Sequence, residues 1–128
     1  MKTTTLKTTL GLLAAATLAA SAHAQQGREH FQARTGADLV TVCSVAPAHP
    51  DYASAISFCH GFLAGAFQFY DATAEGVGRF VCPQAPYPTR SKVMADFVAW
   101  AKARPQVLQE RSADALFRYL GEAFPCRK

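Results

Sequence analysis

Four cysteines place the strongest constraint on how this chain can fold. They are far apart in the sequence, so no two of them form the closely spaced pair that is typical of a zinc knuckle. An even number of cysteines in a small exported domain indicates two disulfides, for which three connectivities are possible. Each bond would stabilise such a domain by about 2–4 kcal/mol. We therefore predict disulfides, and no metal site, at Cys43, Cys59, Cys82 and Cys126.

The start of the chain has the three-part layout of a secretory signal peptide. Lys2 and Lys7 make it positive, an apolar run extends from Leu10 to Ala20, and small residues precede a cleavage site after Ala24. The apolar run is shorter than the roughly 20 residues that a membrane span needs. An uncleaved anchor is the alternative. We predict removal of residues 1–24 and a periplasmic product that is free of the membrane.

The charge of the exported part does not point to nucleic acid. The whole chain has 13 Lys and Arg residues against 9 Asp and Glu residues, and the signal peptide takes away Lys2 and Lys7. An excess of two positive charges remains, spread over basic residues that mostly stand alone. A nucleic-acid-binding protein would instead show a clustered basic face.

Local patterns predict an all-α fold, a small bundle of about four helices stapled by the two disulfides. The bundle would occupy residues 36–128 and follow a flexible leader at 25–35. Thr35, with Asp38 three positions later, has the pattern of a capping box and begins a short first helix. Ser112 is suited to cap the fourth helix.

The middle of the chain predicts the other two helices and one extended segment. Apolar residues at three- and four-residue steps indicate a helix over Tyr52–Glu75. The next segment, Gly76–Cys82, begins with a glycine suited to a left-handed helix cap and predicts an extended return strand. Thr89 or Ser91 caps the third helix, which ends near Arg104 because a proline follows.

The sequence shows no arrangement that favours catalysis. His60 is the only histidine in a predicted helix, where a hydrogen-bonded structural role is more common than that of a base. The acidic residues are spread over the elements, and neither a nucleophile elbow nor a phosphate-binding glycine loop is present. We expect a protein that is not an enzyme and that needs no cofactor.

Several short motifs then occur in a distinctive order. Phe58–Gly65 joins a cysteine to two glycines and aromatic residues, and Phe80–Pro83 ends in Cys-Pro. Val98–Pro105 is a helical stretch that ends in proline, and Ala123–Cys126 ends in Pro-Cys. With Cys43 as the first cysteine, these motifs resemble those of the Tai-type immunity proteins over nearly the whole exported chain. A histidine between the cysteine and the glycine of the first motif is a departure from that pattern.

The resemblance implies both a fold and a function. It implies an all-helical periplasmic domain similar to the acid-chaperone HdeA group, often a homodimer. Such proteins bind and occlude a peptidoglycan-cleaving amidase that a type VI secretion system delivers. The alternatives are an HdeA-like holdase chaperone for acid stress and an assembly factor of the envelope.

Chain geometry favours one disulfide connectivity, Cys59–Cys82 with Cys43–Cys126. The helix from Cys59 to Glu75 spans about 24 Å, and an extended segment from Gly76 to Cys82 can return about 23 Å. An extended segment would therefore just bring Cys82 within reach of Cys59. The second bond would tie the first helix to the end of the chain.

Two irregular segments remain as candidates for partner contact, Gln84–Arg90 and Arg104–Arg111. The second is richer in hydrogen-bonding groups, and predicted helices hold it at both ends, which lowers the entropy lost on docking. Solvated loop residues are the alternative interpretation, and Tyr87 is the candidate from the first segment. The predicted partner-binding residues are Arg104, Gln106, Gln109, Glu110 and Arg111.

Overall fold

A computed structural model of the protein describes residues 31–127, so the predicted signal peptide lies outside the described residues. The described part contains four helices: α1 (Gly36–Cys43), α2 (Tyr52–Thr73), α3 (Arg90–Lys102) and α4 (Ser112–Ala123). It also contains two 3-10 turns, Gly76–Gly78 and Val107–Gln109, and no strand. The predicted all-α bundle with two disulfides is confirmed. Within 31–127, no helix has the length and apolar character that crossing a membrane requires.

Local capping explains where the helices begin. At α1, the Asp38 amide donates to Thr35 Oγ1 at 3.2 Å and the Thr35 amide donates to Asp38 Oδ2 at 2.9 Å, which is the predicted capping box. The hydrogen bond from the Thr35 backbone holds the pKa of Asp38 below its ordinary value. Thr89 caps α3 through the Lys92 amide. Ser112 is not a cap, because it is the first residue of α4 and its buried hydroxyl donates to the Ala33 carbonyl.

The segment after α2 differs from the predicted strand. α2 ends at Thr73, and the left-handed Gly76 (φ 53°) begins a 3-10 turn instead of capping the helix. Beyond it, a single antiparallel bridge joins Val81 to Pro125. The Phe80 and Val81 amides donate to Tyr70 Oη at 2.5 and 2.8 Å. The return is therefore held by a tyrosine side chain and by the end of the chain, not by a sheet.

The core forms around α1, which packs against the three longer helices. α4 has the most clearly amphipathic pattern, and its buried stripe includes Ala115, Leu116, Tyr119 and Leu120. Burying each large apolar side chain contributes about 1.5–3 kcal/mol. The largest side chains that are fully buried are Phe97, Leu39, Leu116, Val81, Val107 and Cys59.

The predicted disulfide connectivity is wrong, because the bonds are Cys43–Cys59 and Cys82–Cys126. A short connection turns the chain after α1, and this turn places Cys43 beside the second turn of α2. The return segment meets α2 at Tyr70, about 16 Å along the helix from Cys59. The chain therefore does not travel back far enough for a Cys59–Cys82 bond.

The Cys82–Cys126 bond joins two segments that already lie side by side. The Cys82 amide donates to the Phe124 carbonyl at 2.8 Å, and the Cys126 amide donates to the Phe80 carbonyl. This bond is half-buried, whereas Cys43 and Cys59 are buried in the core. One disulfide thus belongs to the core and the other fastens the end of the chain.

The described end of the predicted leader is attached to the bundle. The Phe31 ring lies 5.8 Å from the Phe58 ring, centroid to centroid. The Arg34 carbonyl accepts from the Ser112 amide at 3.0 Å, and Thr35 forms a bridge with Arg111. These contacts hold the residues that precede α1 against the start of α4.

Candidate functional site

The predicted contact segment, residues 104–111, is part of the folded framework through its backbone. The Gly36 amide donates to the Glu110 carbonyl at 2.9 Å, and Val107 is buried in the core. A Cβ at Gly36 would collide with the Val107 carbonyl oxygen, so only glycine allows this close approach. The 104–111 segment therefore presents its exposed side chains from a fixed backbone.

Arg104 lies at the start of this segment and is held by its neighbours. Its guanidinium lies 4.6 Å from the centroid of the Trp100 ring, an arrangement of the cation–π type. It also donates to the Trp100 carbonyl and lies 3.6 Å from a carboxylate oxygen of Glu122. The Trp100 indole donates to the same carboxylate at 2.7 Å. Arg104 thus joins α3 to α4 and is only partly available to a partner.

The other predicted contact residues fall into two groups. Glu110 pairs with Arg118 at 2.9 Å, and Arg111 pairs with Asp114 at 2.6 Å. The hydrogen bond to Asp114 raises the pKa of Arg111. Gln106 and Gln109 are exposed and make no side-chain hydrogen bond with another described residue. The structure places all five residues on one segment and leaves Gln106, Gln109 and the exposed Arg111 outermost.

The irregular segment at the other end of α3, residues 83–89, contains three of the seven prolines. Its Ala85–Pro86 peptide bond is cis. The Tyr87 side chain is 72% exposed, although tyrosine normally gains by burying its ring. This aromatic side chain stands at the edge of a depression in the surface.

That depression, which we call the Tyr87 groove, has a volume of about 270 Å³. Its floor is made of apolar side chains from α2, the return segment and α4: Leu63, Val81, Leu116 and Leu120. Exposed residues line its rim, namely Gln68, Tyr87 and Arg90. Tyr87 was a candidate from the sequence alone, but the groove could not be predicted, because its walls come from segments that are distant in the sequence.

His60 does not make the hydrogen bond expected of a structural histidine. Its buried Nε2 atom has no hydrogen-bond partner among the described residues. Within residues 31–127, no three His, Cys, Asp or Glu side chains lie close enough to hold a metal ion. All four cysteines are in disulfides.

Comparison with known proteins agrees with the immunity-protein part of the resemblance. A family model described as Rap1a immunity proteins matches residues 35–126. No curated protein and no solved structure matches the chain. The match begins at the α1 capping residue and ends at the last cysteine, so it covers the four helices and both disulfides. The chain belongs to the Rap1a immunity protein family.

Proposed function

We propose that this protein is a periplasmic immunity protein that binds and occludes a peptidoglycan-cleaving amidase, delivered as an effector by a type VI secretion system. The family match over residues 35–126 carries this proposal, because an immunity protein protects the cell by binding a cognate toxin. The amidase and the secretion system come from the motifs around the cysteines, which resemble the Tai-type proteins. The protein would act by covering the effector's active site and not by catalysis.

The contact surface that we propose includes the 104–111 segment. Gln106, Gln109 and Arg111 are outermost there, and a polar enzyme cleft offers partners for amide and guanidinium groups. The backbone that carries them is already fixed by Gly36 and Val107. Docking would therefore order few additional groups, which favours affinity. Arg104 and Glu110 would mainly hold the segment in place through their own ion pairs.

We also propose that the protein reaches the periplasm after cleavage behind Ala24. The two disulfides support this compartment, since such bonds persist in oxidising environments. A homodimer is part of the same proposal. It is supported by the exposed side of α2, where a Cβ placed on Gly61 or Gly65 would meet open space and where Phe69 is 73% exposed.

Protection of cells is the direct test of the proposed function. A test strain would export a type VI amidase effector to its periplasm, with and without this protein. We expect lysis without the protein and normal growth with it. A chain that lacks residues 1–24 is the control and should not protect, because it would stay in the cytoplasm. Equal lysis with and without the full chain, over a panel of amidase effectors, would contradict the amidase assignment.

A further inference from the structure

We propose that the Tyr87 groove receives a segment of the effector that presents one or two apolar side chains next to a carboxylate. This inference rests on the proposed function and adds a second contact site to it, at the opposite end of α3 from the 104–111 segment. The groove floor, together with Tyr87 and Arg90, would determine the preference for a segment that is both apolar and acidic.

The size and lining of the groove define the apolar part of this ligand. The floor rests on Val81 and Leu116, which are fully buried, and the apolar surface that a ligand would touch comes mainly from half-buried lining residues such as Phe67, Val93 and Phe124. A cavity of roughly 150 Å³ lined by apolar side chains is large enough for benzene. The groove, at about 270 Å³, therefore has room for one or two apolar side chains of a partner.

The frame of the groove is fixed before any partner arrives. The Val81–Pro125 bridge and the Cys82–Cys126 disulfide hold the return segment against the end of the chain. Prolines restrict the backbone of the 83–89 segment. A preformed site loses little conformational entropy on binding. Exposed Tyr87 thus stands at the rim on a restricted backbone, and tyrosine is enriched among the residues that dominate binding energy.

Charge at the rim defines the acidic part of the ligand. Arg90 is the first residue of α3, where a cation is unfavourable because the helix dipole is positive at that end. It forms no ion pair with any other described residue, and no acidic residue lines the groove. Neighbouring Lys92, in contrast, is paired with Asp96 at 2.8 Å. A carboxylate from the partner would therefore meet an uncompensated guanidinium.

Peptide binding followed by NMR tests the groove without the effector. The intact protein, with both disulfides formed and its methyl groups labelled for NMR, is titrated with two peptides, acetyl-Leu-Phe-Asp-amide and acetyl-Leu-Phe-Lys-amide. We expect the acidic peptide to shift the methyl signals of Leu63, Val93 and Leu120, and to bind more tightly than the basic one. The signals of Val107, in the core at the far end of α3, should not move.

Matched variants then assign the contact to the rim. Tyr87→Ala and Arg90→Gln should each weaken binding of the acidic peptide and of the effector by about tenfold or more. Lys102→Gln removes a cation from the other end of α3 and should bind like wild type. The groove proposal is wrong if wild type shows no methyl shifts at millimolar peptide, or if Tyr87→Ala and Arg90→Gln bind the effector as tightly as Lys102→Gln does. Effector binding that is unchanged in all three variants would leave the immunity function in place, whereas peptide binding without any effector binding would contradict that function.

Discussion

The irregular segments at the two ends of α3 differ in what holds them, although both are rich in polar and turn-forming residues. The 104–111 segment contributes Val107 to the core and is fixed by backbone hydrogen bonds and ion pairs. The 83–89 segment contributes no buried side chain and is fixed by prolines and by the adjacent Cys82–Cys126 bond. They lie about 18 Å apart along the helix. An irregular segment can thus be part of the core or form the frame of a groove, and the polarity of its sequence does not distinguish these two roles.

Removing the disulfide next to the 83–89 segment should have the largest effect. Replacing Cys82 and Cys126 by alanine opens the longer loop, with a sequence separation of 44 residues. We expect the free energy of unfolding to fall by about 4 kcal/mol on the chain-entropy estimate. Urea denaturation measures this loss. The backbone amides at positions 82 and 126, which bond across the closed loop, should gain more exchange than the global loss alone produces, whereas Val107 should follow the global loss. An equal gain at all three positions would contradict the separation of the two segments.

A side chain at position 36 should disrupt the 104–111 segment. Gly36→Ala brings a Cβ into the backbone of Val107, which can yield only by moving the 104–111 segment. We expect a loss of about 3 kcal/mol, at the upper end of overpacking effects. Gly61→Ala is the matched control. It lies in the interior of α2 with open space around it, so it should raise stability by about 0.5–1 kcal/mol. Equal stabilities of the two variants would show that the close approach at Gly36 is not required.

Acid should weaken the start of α1, which the 104–111 segment contacts. The pKa of Asp38 is lower in the folded state than its ordinary value of 3.8. The capping box therefore contributes fully at pH values above 3.8 and is lost as the pH falls through the lower, folded value. Asp38→Asn should cost about 1 kcal/mol at pH 7, the size typical of a lost capping interaction, and progressively less as the pH falls below 3.8. Thermal unfolding from pH 2 to pH 7 measures this difference, and a constant difference over that range would contradict the assignment.

This titration also separates the proposed function from the chaperone alternative. An acid-activated holdase needs a broad loss of structure when its carboxylates become protonated. The hydrogen bond from the Thr35 backbone lowers the pKa of Asp38, so the capping box at the start of α1 persists below the ordinary pKa of an aspartate. We expect near-native circular dichroism and no gain in binding of an apolar dye down to about pH 4. Large dye binding at that pH would favour the chaperone.

The smallest effect on stability should come from the exposed residues of both segments. Tyr87→Ala and the triple change Gln106→Ala, Gln109→Ala and Arg111→Ala each remove side chains that lie on the surface. Surface substitutions usually change stability by less than about 0.5 kcal/mol. Urea midpoints close to that of the wild type are expected. A loss above about 1 kcal/mol would mean that these side chains support the fold.

Local signals in the sequence were sufficient for most of the fold. Thr35 with Asp38, and Thr89, act on backbone groups only three residues away, so they could be recognised without knowledge of the rest of the chain. The proline after Arg104 likewise placed the end of α3 within two residues. The four helices and the general positions of their ends therefore follow from short-range physical chemistry.

Contacts between distant segments could not be predicted in the same way. The disulfide prediction depended on how far the return would extend, and Tyr70 Oη stops it well short of Cys59. The Tyr87 groove depends on four separate parts of the chain, and no periodic pattern marks its floor. The five predicted contact residues do share one segment. Three of them form ion pairs, and the partners, Arg118, Asp114 and Glu122, are all residues of α4. Such pairings are set by packing, which a single sequence does not show.

Calorimetric titration of the purified effector with the purified protein measures whether the proposed inhibition of an amidase effector occurs by direct contact. We expect saturable binding, with peptidoglycan hydrolysis stopping when the binding sites on the effector are filled. The triple change at Gln106, Gln109 and Arg111 should weaken binding by about tenfold or more while stability is retained. Hydrolysis that continues at saturating protein, or the absence of binding at micromolar concentrations, would contradict inhibition of an amidase effector by this protein.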